Sequence, residues 1–166
     1  TENSKLLIYR TQMTKSIIKN LKSKFEKLGV DTDRIIFSSK SYSPHYKAYS
    51  LADISLDPYP FSGMSITIEN ALMGVPTITL AGEGMQSRGA ARINEVLNLS
   101  EFNAFSGDEY IDIAIKLAND KSKLEELRKS LRNRMLESSI CANHKEFVQD
   151  LENKYKQVWE TFTNSL

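Results

Sequence analysis

The fold is decided by residues 49–80, which read YSLADISLDPYPFSGMSITIENALMGVPTITL. Residues 52–56, ADISL, form a short apolar run that ends at an Asp-Pro pair, which is typical of a buried strand. A loop with two prolines and a glycine follows, and a helix is predicted to begin at Ser65 or a neighbour. Gly74 has the place of a C-cap glycine, and the β-branched run at residues 76–80, PTITL, is the next predicted strand.

This strand–loop–helix–strand order makes a βαβ unit, whose two strands run parallel. Ligands bind outside the carboxyl ends of such strands, and the loop before Ser65 lies at that edge. The free N–H groups and positive dipole end of the helix suit a phosphate, and Glu69, one turn further on, can accept hydrogen bonds from a ribose diol. The alternative interpretation is that Ser65 only caps the helix and that Glu69 is an acid favoured by the helix dipole.

The rest of the chain continues the alternation of strands and helices. Apolar runs predict strands at residues 5–9 and 34–37, and an amphipathic pattern predicts a helix at residues 14–28. A short helix at residues 45–52 leads into the ADISL strand, and a last short strand is expected within residues 102–105. The order is that of a Rossmann-like α/β fold, a doubly wound parallel sheet flanked by helices.

Three amphipathic helices are predicted after the last strand, the first of them opened by a capping box at Ser106 and Glu109. We therefore interpret residues 1–166 as a single domain, of which residues 107–166 are helical. The final helix, from about residue 144 to residue 162, is expected to bury an apolar stripe in the core, formed by Phe147, Leu151, Tyr155, Val158, Trp159 and Phe162.

Composition excludes several classes of function. The 22 basic and 21 acidic side chains leave a net charge of +1, which gives no electrostatic argument for nucleic acid or an anionic membrane. Cys141 is the single cysteine, which excludes an internal disulfide and a cysteine-rich metal site and suits a reducing compartment. The sequence has no apolar run of about 18 residues and its start does not resemble a signal peptide, so we expect a cytoplasmic protein cut from a longer one.

A series of short motifs, taken in order, resembles one known family. The motifs are Tyr49-x-Leu51-Ala52-Asp53, Leu56-Asp57, Gly63, Gly74-x-Pro76, Gly82-Glu83 and Ser87-Arg88-x-Ala90-Ala91. The series is similar to the nucleotide-sugar half of GT-B glycosyltransferases. It resembles most closely the C-terminal catalytic domain of the O-linked N-acetylglucosamine transferases and SPINDLY-like proteins. The resemblance extends from Arg34 through Trp159 and covers most of the chain.

The resemblance implies the donor-binding half of a glycosyltransferase that moves N-acetylglucosamine from UDP-GlcNAc to a hydroxyl of a protein or peptide acceptor. The UDP-sugar is a substrate rather than a cofactor, and no metal is expected to be required. The nucleotide-sugar-binding residues that it carries over are His45, Gly63, Met64, Ser65, Ile66 and Glu69. In this set His45 lies against the uracil, residues 64–66 meet the pyrophosphate at the helix start, and Glu69 binds the ribose.

The chain departs from the family pattern in several places. Residues 64–66 read Met-Ser-Ile where the family often has His-Thr-Thr, so the backbone N–H groups are retained but the imidazole and one hydroxyl are not. Ala48 and Tyr42 stand at or near positions where the closest relatives have basic residues. Arg10, at a strand end, and Arg88, after the glycine-containing loop, are expected to line the cleft.

The resemblance also places functional parts outside this chain. It identifies no catalytic residue or general base within residues 1–166. A central strand with a lysine that neutralises the leaving diphosphate lies upstream, as does the N-terminal domain that completes the cleft. The isolated chain is therefore expected to be inactive, and the gap left in its sheet is expected to invite pairing with another chain, for example in a homodimer.

Two rival functions stay open from the sequence. The first is another UDP-sugar enzyme of the GT-B type, either a hexosyltransferase or a sugar-nucleotide epimerase. The second is a degenerate, non-catalytic module that binds a protein partner, which the Met-Ser-Ile sequence favours a little. A comparison of nucleotide donors would separate the first from the main prediction, and failure to bind any nucleotide would favour the second.

Overall fold

The computed structural model describes residue 1 and residues 4–10, 12–39 and 45–165, except the side chain of His45. The strands are β1 Leu6–Tyr9, β2 Ile35–Ser38, β3 Ser55–Leu56, β4 Thr77–Leu80 and β5 Asn103–Ala104. The α-helices are α1 Lys15–Lys27, α2 Met64–Leu72, α3 Gly89–Val96, α4 Gly107–Asn119, α5 Lys121–Glu137, α6 Ser139–Ala142 and α7 His144–Asn164. Short 3₁₀ helices span Thr32–Arg34, His45–Leu51, Met85–Ser87 and Ser100–Phe102.

The strands all pair in parallel, as predicted for a Rossmann-like α/β fold. Strand β1 pairs with β2, with Leu6 opposite Ile35, and a second sheet has the order β3-β4-β5. Between the two sheets, the described part of the chain contains no hydrogen-bonded strand pair. The strands therefore divide into a pair and a group of three, and β3, β4 and the loops after them carry the candidate site.

Helix limits agree with the sequence prediction where capping residues define them. Thr14 Oγ1 accepts a hydrogen bond from the Ile17 N–H at the start of α1, and Gly29 ends it with φ of 73°. At the start of α4, Ser106 Oγ accepts from the Glu109 N–H as a capping box requires. The Glu109 carboxylate reaches the N–H of Phe105 rather than that of Ser106, one residue earlier than the motif predicts.

The hydrophobic core lies between the three-stranded sheet and helices α2 to α5. Ile78 on β4 and Leu127, Leu131 and Met135 on α5 are fully buried. Each such side chain contributes about 1.5–3 kcal/mol when it leaves water. Two arginines of α5 also reach the end of α2, and Arg132 Nη1 donates to the Leu72 carbonyl at 3.0 Å.

A buried polar network ties β4 to its neighbours. Asn94 Nδ2 on α3 donates to the Thr77 carbonyl at 3.0 Å and to Asn103 Oδ1 at 2.8 Å. Asn103 Nδ2 on β5 donates to the Ala91 carbonyl, and Asn70 Nδ2 on α2 donates to Thr77 Oγ1. Because the buried amides have partners, they fix β4 and β5 against α2 and α3 instead of destabilising the core.

The prediction that the final helix packs its apolar stripe in the core is wrong. Helix α7 contains no buried residue, and Trp159 and Tyr155 are 66% and 68% exposed. The amphipathic pattern is present, but the described residues place no surface against that face. Helix α1, which was also predicted to be amphipathic, likewise contains no buried residue.

Candidate functional site

The loop between β3 and α2 is held by one buried carboxylate, that of Asp57 at the end of β3. Asp57 Oδ1 accepts a hydrogen bond from the Gly63 N–H at 2.8 Å, and Oδ2 accepts from Thr79 Oγ1 on β4 at 2.7 Å. Asp57 is 7% exposed, and its bond to Thr79 is fully buried while its bond to Gly63 is partly buried. Asp57 therefore joins both ends of the loop, residues 58–62, to the sheet.

Helix α2 begins at Met64, and its N-cap is Gly63, which makes no side-chain capping bond. The alternative that Ser65 caps this helix is therefore wrong, because the helix starts one residue earlier. A Cβ on Gly63 would lie 3.3 Å from Ile66 Cβ, so a glycine suits this tight entry. The Asp57 carboxylate takes the place of a capping side chain, but it binds the N–H of the cap residue itself.

The first N–H groups of α2 remain available to a ligand. Thr67 N–H bonds the Gly63 carbonyl, as the first intrahelical bond, and no acceptor in the described part of the chain bonds the N–H groups of residues 64–66. Met64 and Ile66 are each about half exposed, so this helix end is open to solvent. Three N–H groups and the helix dipole thus converge on one accessible point, which is suited to an anion.

The next helix start is occupied by the protein itself. Ser62 Oγ accepts a hydrogen bond from the Ala90 N–H in the first turn of α3, at 2.8 Å. The Ser62 N–H in turn donates to the Gln86 carbonyl at 2.8 Å. These bonds fix the loop before α2 onto the loop before α3, and they leave the N-terminus of α2 as the open one of the two.

A cavity of about 500 Å³ lies beside this loop, outside the ends of β4 and β5. Its lining includes Tyr59 from the loop after β3, Ser87 and Arg88 from the loop after β4, and Phe105 after β5. Arg88 is exposed, and its Nη1 donates to the Gly82 carbonyl at 3.0 Å. Arg88 thus lies at the predicted edge of the sheet, at the rim of an open cavity.

Glu69 lies in the second turn of α2, not the first, because the helix begins at Met64. Its carboxylate is half-buried, and Oε2 accepts a hydrogen bond from the Tyr49 hydroxyl. Tyr49 belongs to the 3₁₀ helix His45–Leu51 that precedes β3. Burial first, and then this bond to Glu69, raise the pKa of the Tyr49 phenol above its usual range, so it stays a donor.

The other residues predicted for the site are described to different degrees. The backbone of His45 opens the 3₁₀ helix before β3, while its side chain lies outside the described residues, as does the whole of Tyr42. Arg10 follows β1, where its N–H bonds the Ser38 carbonyl and its side chain is exposed. Ala48 is 5% exposed and is buried among the apolar residues of the described chain.

Sequence reasoning missed Asp57, Thr79, Ser62 and Tyr49 as parts of the site. In the sequence, Asp57 indicates only a turn after a strand, and its two hydrogen-bond partners lie six and 22 residues further along the chain. Tyr49 and Glu69 are 20 residues apart in different elements. The one local signal for Asp57 was that an apolar strand ends in an acidic residue. A charged side chain next to a buried strand can itself be buried only if it has hydrogen-bonding or charged partners.

Two other kinds of feature, a metal cluster and a membrane-spanning helix, are absent from the described residues. Among these residues, no group of three or more His, Cys, Asp or Glu side chains is arranged to hold a metal ion. In the same ranges, the helices are all too short or too polar to cross a bilayer.

Parallel strands, alternating helices and an open helix N-terminus at the carboxyl edge define a Rossmann-like α/β domain, a class of fold in which ligands bind at this edge of the sheet. Comparison of the sequence with known protein families then identifies the family. The model of glycosyl transferase family 41 matches residues 3–151, and the chain belongs to that family.

Individual relatives agree with this assignment. The chain is 37% identical over 149 residues to the probable UDP-N-acetylglucosamine–peptide N-acetylglucosaminyltransferase SPINDLY of Hordeum vulgare. It is 34% identical over 153 residues to the protein of the same name from Arabidopsis thaliana. A solved structure of a mutant O-GlcNAc transferase from Thermobaculum terrenum superposes with a TM-score of 0.82 at 28% identity, over 93% of this chain.

The chain spans only part of each of these proteins. The matches to the two plant proteins cover 89% of this chain but only 16% of each plant protein. The match to the solved bacterial structure covers 93% of this chain and 30% of the bacterial chain. The family match thus covers most of this chain, while the chain spans less than a third of the length of each of these relatives.

Proposed function

We propose that this chain is the donor-binding half of a glycosyltransferase that transfers N-acetylglucosamine from UDP-GlcNAc to a hydroxyl of a protein acceptor. Membership of glycosyl transferase family 41 supports the reaction class, and the names of the plant relatives support this donor and a peptide acceptor. The single structural observation that carries the proposal is the open N-terminus of α2, set in a loop that Asp57 holds in place.

The chemical contribution of this half is stabilisation of the leaving diphosphate. When the bond from the sugar to the diphosphate breaks, negative charge grows on the phosphate oxygens. Fixed N–H groups at residues 64–66 lower the energy of that charge because they need no reorganisation during the reaction. We propose that these groups, rather than a metal ion, meet the charge on this side of the cleft.

The remaining contacts of the donor are assigned to Glu69 and His45. The Glu69 carboxylate, one side of which accepts from Tyr49, binds the ribose diol, and His45 lies against the base. The general base, the acceptor site and the rest of the cleft are assigned to other parts of a longer polypeptide. The isolated chain is then catalytically silent, and measurable transfer or donor hydrolysis by it would overturn this assignment.

Calorimetric titration with UDP, GDP and ADP tests the proposal. We expect selective binding of UDP, and about tenfold weaker binding by Glu69→Ala, because hydrogen bonds to a charged group are lost. Glu95→Ala is the matched control, since Glu95 is an exposed acid of α3 whose carboxylate pairs with Arg92 on the same helix. A preference for GDP or ADP would overturn the uridine assignment, and equal effects of the two variants would overturn the role of Glu69.

A second candidate function is a non-catalytic module that binds a protein partner. Apolar side chains at the site favour it, because Met64, Ile66 and Met85 are 52%, 50% and 90% exposed. Saturable binding of none of the three nucleotides would favour this candidate over the first. Another UDP-sugar enzyme, such as a hexosyltransferase or an epimerase, would bind UDP equally and is separated by competition with UDP-glucose and UDP-GlcNAc.

A further inference from the structure

Tyr49 makes a contact that the proposed function does not by itself require. Its hydroxyl donates to Glu69 Oε2, which joins the 3₁₀ helix before β3 to the second turn of α2. The ring of Tyr49 and the side chain of Glu69 are both half-buried, so water competes only in part for this hydrogen bond. A carboxylate has two oxygens with about four acceptor positions, so a carboxylate that accepts from a phenol can also accept from a diol.

The direction of the bond is fixed by the chemistry of the two groups. Ionised glutamate can only accept, so the phenol must donate. Burial, the bond to Glu69, the Glu69 charge and the nearby Tyr9 all raise the pKa of Tyr49, so the phenol keeps its proton throughout the neutral range.

Free glutamate side chains rotate about three bonds, and a ligand that needs one orientation must restrict them. A hydrogen bond already present in the protein restricts them before the ligand arrives, which strengthens binding. Tyr49 and Glu69 belong to different elements. The hydrogen bond therefore fixes the position of the Glu69 carboxylate relative to the 3₁₀ helix before β3 as well as to α2.

We propose that Tyr49 is a positioning residue for nucleotide binding, which orients the Glu69 carboxylate toward the ribose diol of the donor. The inference rests on the proposed function and deepens it, since it makes the preference for ribose over deoxyribose depend on a tyrosine hydroxyl. A purely structural link between the two helices would instead affect stability and would treat ribose and deoxyribose alike.

The test compares Tyr49→Phe with the wild type, because this change removes the hydroxyl and keeps the ring. Dissociation constants are measured for UDP and 2′-deoxy-UDP, or for the guanosine pair if the wild type binds GDP more tightly. We expect the variant to bind the ribonucleotide about fivefold more weakly, with the deoxynucleotide affinity changed by less than about twofold. Tyr110→Phe is the control, since it also removes a half-buried hydroxyl that donates a hydrogen bond, and it should leave the ratio of the two constants unchanged.

Each other result counts against a different claim. Equal loss of affinity for both nucleotides in Tyr49→Phe means a structural role, and no loss for either means no role. Wild-type binding without preference for ribose overturns the role of Glu69, and the absence of wild-type binding overturns the proposed function itself. If the variant is less stable, the rise in melting temperature caused by each nucleotide gives the same ratio.

Discussion

Asp57 sets the geometry of the candidate site although it is not proposed to touch the ligand. Its two carboxylate oxygens are used by two different partners, the Gly63 N–H and the Thr79 hydroxyl. The first partner fixes the residue before α2, and the second fixes the position of that residue relative to β4. A single buried acid thus determines where the open N–H groups of α2 point.

Asp57→Asn tests this role at the level of one atom. The amide oxygen of asparagine can still accept from the Gly63 N–H, and its NH₂ group can donate to the Thr79 hydroxyl, but both hydrogen bonds are weaker because they no longer involve a charged carboxylate. We expect the free energy of unfolding to fall by about 2 kcal/mol, measured by urea denaturation. Asp53→Asn is the control, because Asp53 is 85% exposed and its contact with Arg128 should contribute less than about 0.5 kcal/mol. Equal urea midpoints for the two variants would contradict the account.

Glycine is required at position 74 for two separate reasons: its φ is positive, and the backbone of α5 passes close to it. Its φ is 75°, and a Cβ there would lie 2.6 Å from the Arg128 carbonyl oxygen on α5. Gly29 has a similar φ of 73°, but nothing lies within 4 Å of its added Cβ.

We therefore expect Gly29→Ala to lower the free energy of unfolding by about 1 kcal/mol, from backbone strain alone. Gly74→Ala should lower it by about 3 kcal/mol or more, because α5 must also shift. Thermal or urea unfolding of both variants measures the difference. Similar losses in the two would show that α2 and α5 are not in contact at this point.

Among the elements, strand and helix positions could be predicted from the sequence where local signals mark their ends. Thr14, Gly29 and Ser106 act within a few residues of themselves, and the limits of α1 and α4 follow from them. The start of α2 was predicted at Ser65 or a neighbour and lies at Met64, but the residue that fixes it was not predicted, because Asp57 lies outside the helix and is bonded across the sheet. The buried network around Asn94 was not predicted either, since it joins elements that only the tertiary fold brings together.

Helix α4 is attached to the end of β3 by Tyr110, whose hydroxyl donates to the Asp57 carbonyl at 3.1 Å. Burial, and then the negative charge of Asp57, raise the pKa of Tyr110 to about 12, from an ordinary tyrosine value of about 10. The folded state therefore holds the phenol proton more tightly than the unfolded state does. The stabilisation is complete below pH 10 and is lost as the pH rises from 10 to 12.

We expect the wild type to lose stability more steeply than Tyr110→Phe over this range. Two pKa units correspond to about 2.7 kcal/mol, and partial exposure of the ring reduces the expected excess to about 1 kcal/mol. Urea denaturation at pH 9 and at pH 11.5 measures it for both proteins. Parallel losses in the two would show that Tyr110 is not linked to Asp57.

For the whole molecule, the described chain consists of a packed core with a helix that adds little to it. Helices α2 to α5 cover the three-stranded sheet, while α7 has no buried residue. The sequence predicted the amphipathic face of α7 correctly, but amphipathicity indicates only that a face is apolar, and it does not identify a surface that covers it.

Removal of α7 should accordingly cost little stability. A chain that ends after residue 143 is expected to unfold within about 1 kcal/mol of the original, as measured by urea denaturation. The control ends after residue 137 and also removes α6, whose Ile140 and Cys141 pack partly buried against the core, so we expect a loss of about 2–3 kcal/mol. A similar loss for both truncations would show that α7 packs on the domain in solution.

The central claim is that the N–H groups at the start of α2 receive the diphosphate of a nucleotide. The most direct measurement is an amide ¹H–¹⁵N correlation spectrum of the chain during titration with UDP and, separately, with phosphate-free uridine. We predict that UDP shifts the signals of residues 64–66 most, that uridine leaves them unchanged, and that residues 108–110 at the capped start of α4 do not respond to either. Equal effects of UDP and uridine at residues 64–66, or largest shifts elsewhere, would contradict the account.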